Sequence, residues 1–115
     1  MSRLVPLLLD AAFVLLFATV GRRSHAEGVT VSGVLHTAWP FLVGTAAGWL
    51  LASVALEAGP RSLTFGAVVV VATVAVGMLL RAVASEGVAP SFVVVATVVV
   101  TVLLLGWRLL ARLVA

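Results

Sequence analysis

Cysteine is absent from this 115-residue chain, which excludes disulfide bonds and thiolate metal sites. Charged residues are scarce: they make up 10% of the chain, against about 25% in a typical soluble domain. Hydrophobic residues instead reach 63% of the chain. No stretch is both polar enough and long enough to form a soluble domain, so the composition predicts one compact unit inside a membrane.

The common enzyme motifs are missing as well. The chain contains no His-Glu-x-x-His motif, no Gly-x-Ser-x-Gly turn and no glycine-rich phosphate loop. Its two histidines lack a carboxylate at helical spacing, so we predict neither a metal site nor a cofactor. The basic residues form no stripe interleaved with aromatic residues, which argues against nucleic-acid binding. We therefore expect a protein that is not an enzyme.

The chain does contain four long apolar runs, and nearly every charge lies between them. A helix needs about 20 apolar residues to cross the hydrocarbon core of a bilayer. We predict helices over residues 4–20, 34–56, 63–83 and 88–112. The valine-rich stretches would favour strands in water, but the polar alternation of a membrane barrel is absent. The predicted fold class is all-α, a multi-pass membrane protein with a single four-helix transmembrane domain.

Four spans place both chain termini on one side of the membrane, which we call side A. Side A holds four arginines, namely Arg3, Arg61, Arg108 and Arg112, whereas the opposite side B holds Arg22, Arg23 and Arg81. Because cytoplasmic loops carry an excess of positive charge, this distribution favours side A as the cytoplasmic side of a cell membrane. The length of the first run, and the arginines directly after it, favour a membrane span over a cleaved signal peptide.

Two short matches relate the halves of the chain. Arg22-x4-Glu27-Gly28-Val29 matches Arg81-x4-Glu86-Gly87-Val88 at an offset of 59 residues. Gly48-Trp49-Leu50-Leu51 matches Gly106-Trp107-Arg108-Leu109 at an offset of 58 residues. The matches predict two duplicated helical hairpins, related by a pseudo-twofold axis along the membrane normal. The alternative is coincidence, because a small apolar alphabet produces chance matches.

Asp10 is the sharpest chemical signal in the chain. It lies about 9 Å along the first helix, at a rise of 1.5 Å per residue. A carboxylate at that depth must face the bundle interior, where it is either paired with a cation or protonated. Arg108, about one turn inside side A, is the predicted partner. The pair is interpreted either as a gate or relay for protons or cations, or as a buried ion pair that fixes helix packing.

Basic residues also gather on side B. Arg22, Arg23, His25, His36 and Arg81 are expected near this membrane face, beside the carboxylates of Glu27 and Glu86. Such a cluster suits a phosphate, a carboxylate or an anionic lipid head group. The alternative is ordinary interfacial anchoring by arginine, with glutamate neutralising part of the charge.

The second helix carries a pattern for close packing. Gly44 and Gly48 form a small-x-x-x-small pair that lets another helix approach, which we expect to occur within the bundle. Pro40 either begins the regular helix or kinks it. The three tryptophans, Trp39, Trp49 and Trp107, are expected to anchor the helices at the membrane interfaces.

Taken as a set, these features resemble a family of small bacterial and archaeal membrane proteins known as domain of unknown function 3054. The similar segments are Asp10, Gly21-Arg22-Arg23-Ser24-His25, Thr37-Ala38-Trp39-Pro40-Phe41, Gly77-Met78-Leu79-Leu80-Arg81, Ala89-Pro90-Ser91-Phe92 and Gly106-Trp107-Arg108. The resemblance implies a four-helix membrane protein and brings no activity with it. It gives weight to these positions as a group, and adds Trp39 and Ser91 to the candidate ligand site on side B.

Three functional hypotheses remain open at this point. The first is a small transporter or channel for an anionic or proton-coupled solute, acting as a homo-oligomer, with a dimer favoured because four short helices enclose little room. The second is a membrane module that binds a lipid or an apolar ligand. The third is a non-catalytic accessory subunit of a larger membrane complex. The lipid bilayer is the expected partner in all three.

Overall fold

The computed structural model describes residues 2–23 and 29–114, and in these residues the chain forms four α-helices and no strand. They are α1 (Leu4–Arg23), α2 (Val31–Ala55), α3 (Leu63–Val83) and α4 (Pro90–Val114). Each contains an apolar stretch long enough to cross a membrane. The all-α, four-helix membrane class predicted from the sequence is thereby confirmed.

Local capping explains where two of the helices begin. The side chain of Thr30 accepts a hydrogen bond from the amide of Gly33, so α2 begins at Val31, three residues earlier than predicted. The side chain of Ser62 accepts from the amide of Phe65 and begins α3 at the predicted residue. In α1 the helix continues to Arg23.

Neighbouring helices run antiparallel around a ring. Arg3 at the start of α1 donates to Ser53 near the end of α2, at 3.1 Å. Further along α1, Asp10 contacts Arg108 of α4, whereas Phe17 lies against Phe92 near the start of that helix. The start of α1 and the end of α4 therefore lie at the same end of the bundle, which is side A.

The four interhelical interfaces differ in how extensively the helices pack. α2 and α3 pack most extensively, whereas α1 and α4 pack least among the adjacent pairs. A Cβ atom on Gly44 would lie 2.7 Å from the carbonyl oxygen of Ala72, and one on Gly48 would lie 2.9 Å from the Cα of Val69. The two glycines thus permit backbone contact between α2 and α3, the intramolecular role that we expected for them.

The outer surface of the bundle is apolar, and polar groups lie inside. Large aliphatic side chains such as Leu50 and Leu113 are exposed, whereas Asp10, Thr73 and Arg108 are fully buried. The longest dimension of the molecule is 41 Å, enough to cross the roughly 30 Å hydrocarbon core of a bilayer. This distribution suits a protein surrounded by lipid.

Side chains at every fourth position of α2 divide the bundle interior into layers. Going from side B to side A, Thr37 faces a cavity, Phe41 lies in an aromatic cluster, Thr45 contacts α3, and Trp49 reaches Asp10. A spacing of four residues keeps side chains on one face of a helix. The interior of the bundle therefore changes from polar to aromatic and back to polar along its axis.

Candidate functional site

At side A, four side chains form a buried polar group that we call the carboxylate cluster: Asp10, Trp49, Trp107 and Arg108. Oδ2 of Asp10 accepts from Nη2 of Arg108 at 2.7 Å and from Nε1 of Trp49 at 2.8 Å. Oδ1 accepts from Nη1 of Arg108 and from Nε1 of Trp107, both at 2.8 Å. Three helices thus contribute to one bidentate ion pair that is flanked by two indole N–H groups.

Arg108 is held in place independently of Asp10. Its Nε donates to the carbonyl oxygen of Pro60 at 2.9 Å, and its Nη1 also donates to that of Leu104 at 3.0 Å. Its guanidinium carbon lies 4.5 Å from the centre of the Trp107 ring, a cation–π distance. On the other side, a Cβ on Gly66 would lie 2.7 Å from Cδ of Arg108, so only glycine leaves room for this side chain.

The carboxylate cluster is fully satisfied and has no exposed surface on its charged members. Asp10 and Arg108 are each 0% exposed. Among the described residues, every buried side-chain nitrogen or oxygen has a hydrogen-bond partner. Burying two charges is costly unless their geometry is good and their remaining polar atoms are bonded, and both conditions are met here. The cluster therefore lies in the interior of the bundle, near its side A end.

The two indole donors could not be anticipated from composition alone. The expectation that Trp49 and Trp107 anchor at the interface is wrong, because both are buried and both donate to Asp10. The internal match at an offset of 58 residues was the available signal. It pairs these two tryptophans, and the structure directs them to the two oxygens of one carboxylate. A pseudo-twofold axis between the halves would make the α2–α3 and α1–α4 interfaces equivalent, but the two differ strongly in extent. Duplication of the halves stays a prediction.

Side chains fill the interior of the bundle between its two ends. The hydroxyls of Thr45 and Thr73 are 2.8 Å apart, and Thr45 also donates to the carbonyl oxygen of Phe41 at 2.9 Å. Above this pair, the rings of Phe17 and Phe92 stack at 6.2 Å, and Phe41 meets Phe17 edge-on at 5.1 Å. A Cβ on Gly77 would overlap the Phe41 ring. These layers fill the interior between the four described helices.

At side B, beyond the aromatic layer, lies a cavity of about 460 Å³ that we call the side B pocket. Its aromatic walls are Phe17 and Phe92. Its polar lining comes from α2, from α3, and from the α3–α4 loop with the start of α4, and it includes His36, Thr37, Arg81, Glu86 and Ser91. The volume lies in the range typical of small-molecule sites, roughly 300–1,000 Å³.

Two charged contacts organise the mouth of this pocket. Nε2 of His36 donates to Oε1 of Glu86, and the two side chains are 62% and 31% exposed. Arg81 donates from Nη2 to the carbonyl oxygen of Glu86 at 3.0 Å and from Nε to that of Gly87 at 3.1 Å. Its guanidinium carbon lies 4.7 Å from the centre of the Phe92 ring. Arg81 therefore fixes the loop that carries Glu86.

The α3–α4 loop has a backbone that suits this role. Ser85 and Gly87 adopt positive φ angles of 60° and 85°. The left-handed conformation at Gly87 is natural for glycine and uncommon for other residues. It turns the chain so that the carbonyl oxygens of residues 86 and 87 face Arg81.

Of the side B residues predicted from the sequence, the structure brings together His36, Arg81 and Ser91 around the pocket. Trp39 is 39% exposed and does not line it, which suits the interfacial role. Arg22 and Arg23 end α1, but their side chains, like His25 as a whole, lie outside the described residues. Their predicted roles stay predictions.

Pro40 lies inside α2 and does not begin it. Proline has no amide hydrogen, so the carbonyl oxygen of His36, four residues earlier, loses its usual helical donor.

Comparisons with known proteins support membership of a family and nothing finer. No curated protein and no solved structure is significantly similar to the chain. A family model described as a protein of unknown function, DUF3054, matches residues 7–111, which include the carboxylate cluster and the side B pocket. The chain belongs to the DUF3054 family of proteins of unknown function.

Proposed function

We propose that the protein is a small transporter or channel for an anionic or proton-coupled solute. The observation that carries this proposal is the contrast along one bundle axis, between a polar pocket at side B and a buried ion pair that closes side A. A membrane transporter needs a site accessible from one face at a time and a barrier toward the other. The pocket supplies the first of these, and the carboxylate cluster supplies the second.

The solute class follows from the charges at the pocket. Arg81 and His36 carry N–H groups at its mouth, and Thr37 and Ser91 are among the polar residues of its lining. N–H donors with positive charge recognise carboxylate and phosphate oxygens. The side B pocket is therefore the proposed site of solute capture.

The carboxylate cluster is the proposed gate. Opening side A requires Asp10 and Arg108 to separate, or the carboxylate to take up a proton and lose its attraction for the guanidinium. An ionisable pair inside a membrane protein commonly marks an ion or proton pathway. The rival interpretation, an ion pair that only fixes helix register, predicts that a neutral replacement leaves transport intact.

A single four-helix bundle filled by Phe41 and by the Thr45–Thr73 pair leaves no room for a continuous path between its described helices. We therefore propose that the working unit is a homo-oligomer, with a dimer favoured. The α1–α4 interface is the least extensive, but Asp10 and Arg108 join these helices at side A, so they can separate there only when that pair opens.

A second candidate function is a module that binds a lipid or another apolar ligand. The stacked Phe17 and Phe92 rings favour it, because they give the side B pocket an apolar wall suited to a hydrocarbon group. In this case the basic mouth holds a head group and no solute crosses the membrane.

Flux measurements in liposomes test the proposal. Proton movement is followed with internal pyranine under a valinomycin-clamped potassium potential, and anion uptake with radiolabelled phosphate. We expect flux in at least one assay, and we expect Asp10→Asn and Arg81→Gln to reduce it at least tenfold. Arg112→Gln, in the last turn of α4, is the matched control and leaves flux unchanged. Absence of flux in both assays, with native mass spectrometry showing a monomer, would contradict the proposal.

A further inference from the structure

Glu86 occupies a position where an anionic ligand would be expected. Its carboxylate accepts from Nε2 of His36, and its own backbone carbonyl accepts from Arg81. These two donors are the basic groups of the described pocket lining. A carboxylate of the chain itself thus engages one of the two groups that would recognise an external carboxylate or phosphate.

The contact between His36 and Glu86 is exchangeable. Both side chains are partly exposed, at 62% and 31%, and ion pairs with this exposure contribute little to stability. Glu86 is carried by the α3–α4 loop, between the positive-φ residues Ser85 and Gly87, and not by a helix. Displacing its side chain requires a rotamer change and no change in the bundle.

The pocket adds an apolar side to this polar mouth. Phe17 and Phe92 form its inner wall, and Arg81 lies over the Phe92 face at 4.7 Å, where the polar and aromatic parts meet. The wall residues come from α1 and α4, the two adjacent helices that pack least against each other. A hydrocarbon chain longer than the pocket would have to part Phe17 from Phe92 to pass between these helices toward the lipid.

We propose that the side B pocket binds an anionic amphiphile, with its carboxylate or phosphate group on His36 and Arg81 and its apolar chain on Phe17 and Phe92, and that Glu86 competes with the anionic group for His36. This inference names the ligand class of the site in the proposed function and rests on that site. It does not require the ligand to be transported.

The absence of cysteine from the chain provides a direct test. Ala89 lines the pocket and is exposed, so an Ala89→Cys variant reports occupancy through its rate of reaction with a methanethiosulfonate reagent. The protein is placed in nanodiscs of zwitterionic phosphatidylcholine and titrated with octanoate, with octanol of the same chain length, and with butyrate. Octanoate is expected to slow labelling. Octanol is expected to need at least tenfold higher concentration because it lacks the anionic group, and butyrate at least tenfold higher concentration because it buries fewer methylene groups.

Two charge substitutions in the Ala89→Cys background separate this proposal from simple apolar adsorption. Removing the internal competitor by Glu86→Gln should lower the half-protecting octanoate concentration about two- to fivefold, as expected from loss of an exposed pair. Removing a cation by Arg81→Gln should raise it about tenfold or more. Glu57→Gln, on side A, is the matched control for Glu86→Gln and should change nothing.

A second arm identifies the source of the ligand. Nanodiscs that contain phosphatidylglycerol, without octanoate, should slow labelling only if the head group of a bilayer lipid is the ligand, and Glu86→Gln should strengthen that effect. Protection by added octanoate alone identifies a ligand that arrives from water.

Equal protection by octanol and octanoate would overturn the proposal, as would a Glu86→Gln variant that octanoate protects no better than the parent. Protection without flux in liposomes removes only the transport proposal. Flux without protection removes only the amphiphile site.

Discussion

Each end of the bundle holds a carboxylate bound to a side-chain nitrogen donor, but the two contacts lie in opposite settings. At side A, Asp10 and Arg108 are fully buried, meet in bidentate geometry and receive two further indole donors. At side B, Glu86 and His36 make a single contact at the surface, beside a cavity of about 460 Å³. Breaking a buried ion pair costs much free energy, whereas an exposed contact can be exchanged for another partner at little cost in free energy. The first arrangement suits a barrier, and the second suits a ligand site.

The largest expected effect comes from removing the buried carboxylate. Asp10→Ala leaves the guanidinium of Arg108 buried without its partner, which costs about 3–5 kcal/mol of folding free energy. Unfolding in mixed micelles, followed by circular dichroism, measures this loss. A reduction no greater than that of a surface substitution would show that the cluster has no special energetic role.

The second-largest loss of folding free energy should come from removing the indole donors. Trp49→Phe and Trp107→Phe each remove one hydrogen bond to the carboxylate, at a cost of about 1.5–3 kcal/mol for an acceptor that carries charge. Trp107→Phe should cost at least as much as Trp49→Phe, because the indole face also contacts Arg108. Trp39→Phe is the matched control and should be neutral, since Trp39 lies at the surface. Equal losses in all three variants would contradict the assignment.

The space for Arg108 can be tested at Gly66. In Gly66→Ala the new Cβ would lie 2.7 Å from Cδ and 3.0 Å from Nε of Arg108, and overpacking of this kind costs about 1–3 kcal/mol. Gly106→Ala is the matched control, because a Cβ added there would meet no atom within 4 Å and alanine favours the helix. In thermal unfolding, we expect Gly66→Ala to lower the melting temperature relative to the parent protein and Gly106→Ala to raise it.

The smallest effect is expected at side B. Glu86→Gln should change the free energy of unfolding by about 1 kcal/mol or less, because the pair with His36 is exposed. Unfolding in the same mixed micelles measures this change beside that of Asp10→Ala. A loss as large as that of Asp10→Ala would remove the distinction between the two ends and would make Glu86 a structural residue.

Much of the fold could be predicted from the sequence because membrane crossing is a requirement of length and hydropathy. The third helix begins and ends at the predicted residues, Leu63 and Val83. The second begins three residues earlier than predicted, since hydropathy does not reveal the cap at Thr30. An isolated Asp10 within an apolar run demands a cation, and antiparallel topology brings Arg108 to the same depth, so their contact could be predicted as well.

The remaining partners of the site depend on helix rotation, which apolar composition hardly specifies. Tryptophan is a residue type expected at membrane interfaces, and composition does not distinguish Trp49 and Trp107 from such anchors. Only the rotation of α2 and α4 turns their N–H groups toward Asp10. The side B pocket depends on a loop conformation at residues 85–87 that places Glu86 beside His36, fifty residues earlier in the chain. The sequence predicts that both residues lie near the same membrane face, but neither hydropathy nor charge spacing indicates their direct contact.

The most direct test of the asymmetry is thiol accessibility in vesicles of both orientations, starting from the cysteine-free chain. Ala89→Cys reports the side B pocket, and Thr45→Cys reports the filled interior between the aromatic layer and the carboxylate cluster. With a membrane-impermeant methanethiosulfonate reagent, Ala89→Cys should react from side B only, and Thr45→Cys should react from neither side. Reaction of Thr45→Cys from side A, at a rate similar to that of Ala89→Cys from side B, would contradict a bundle closed by Asp10 and Arg108.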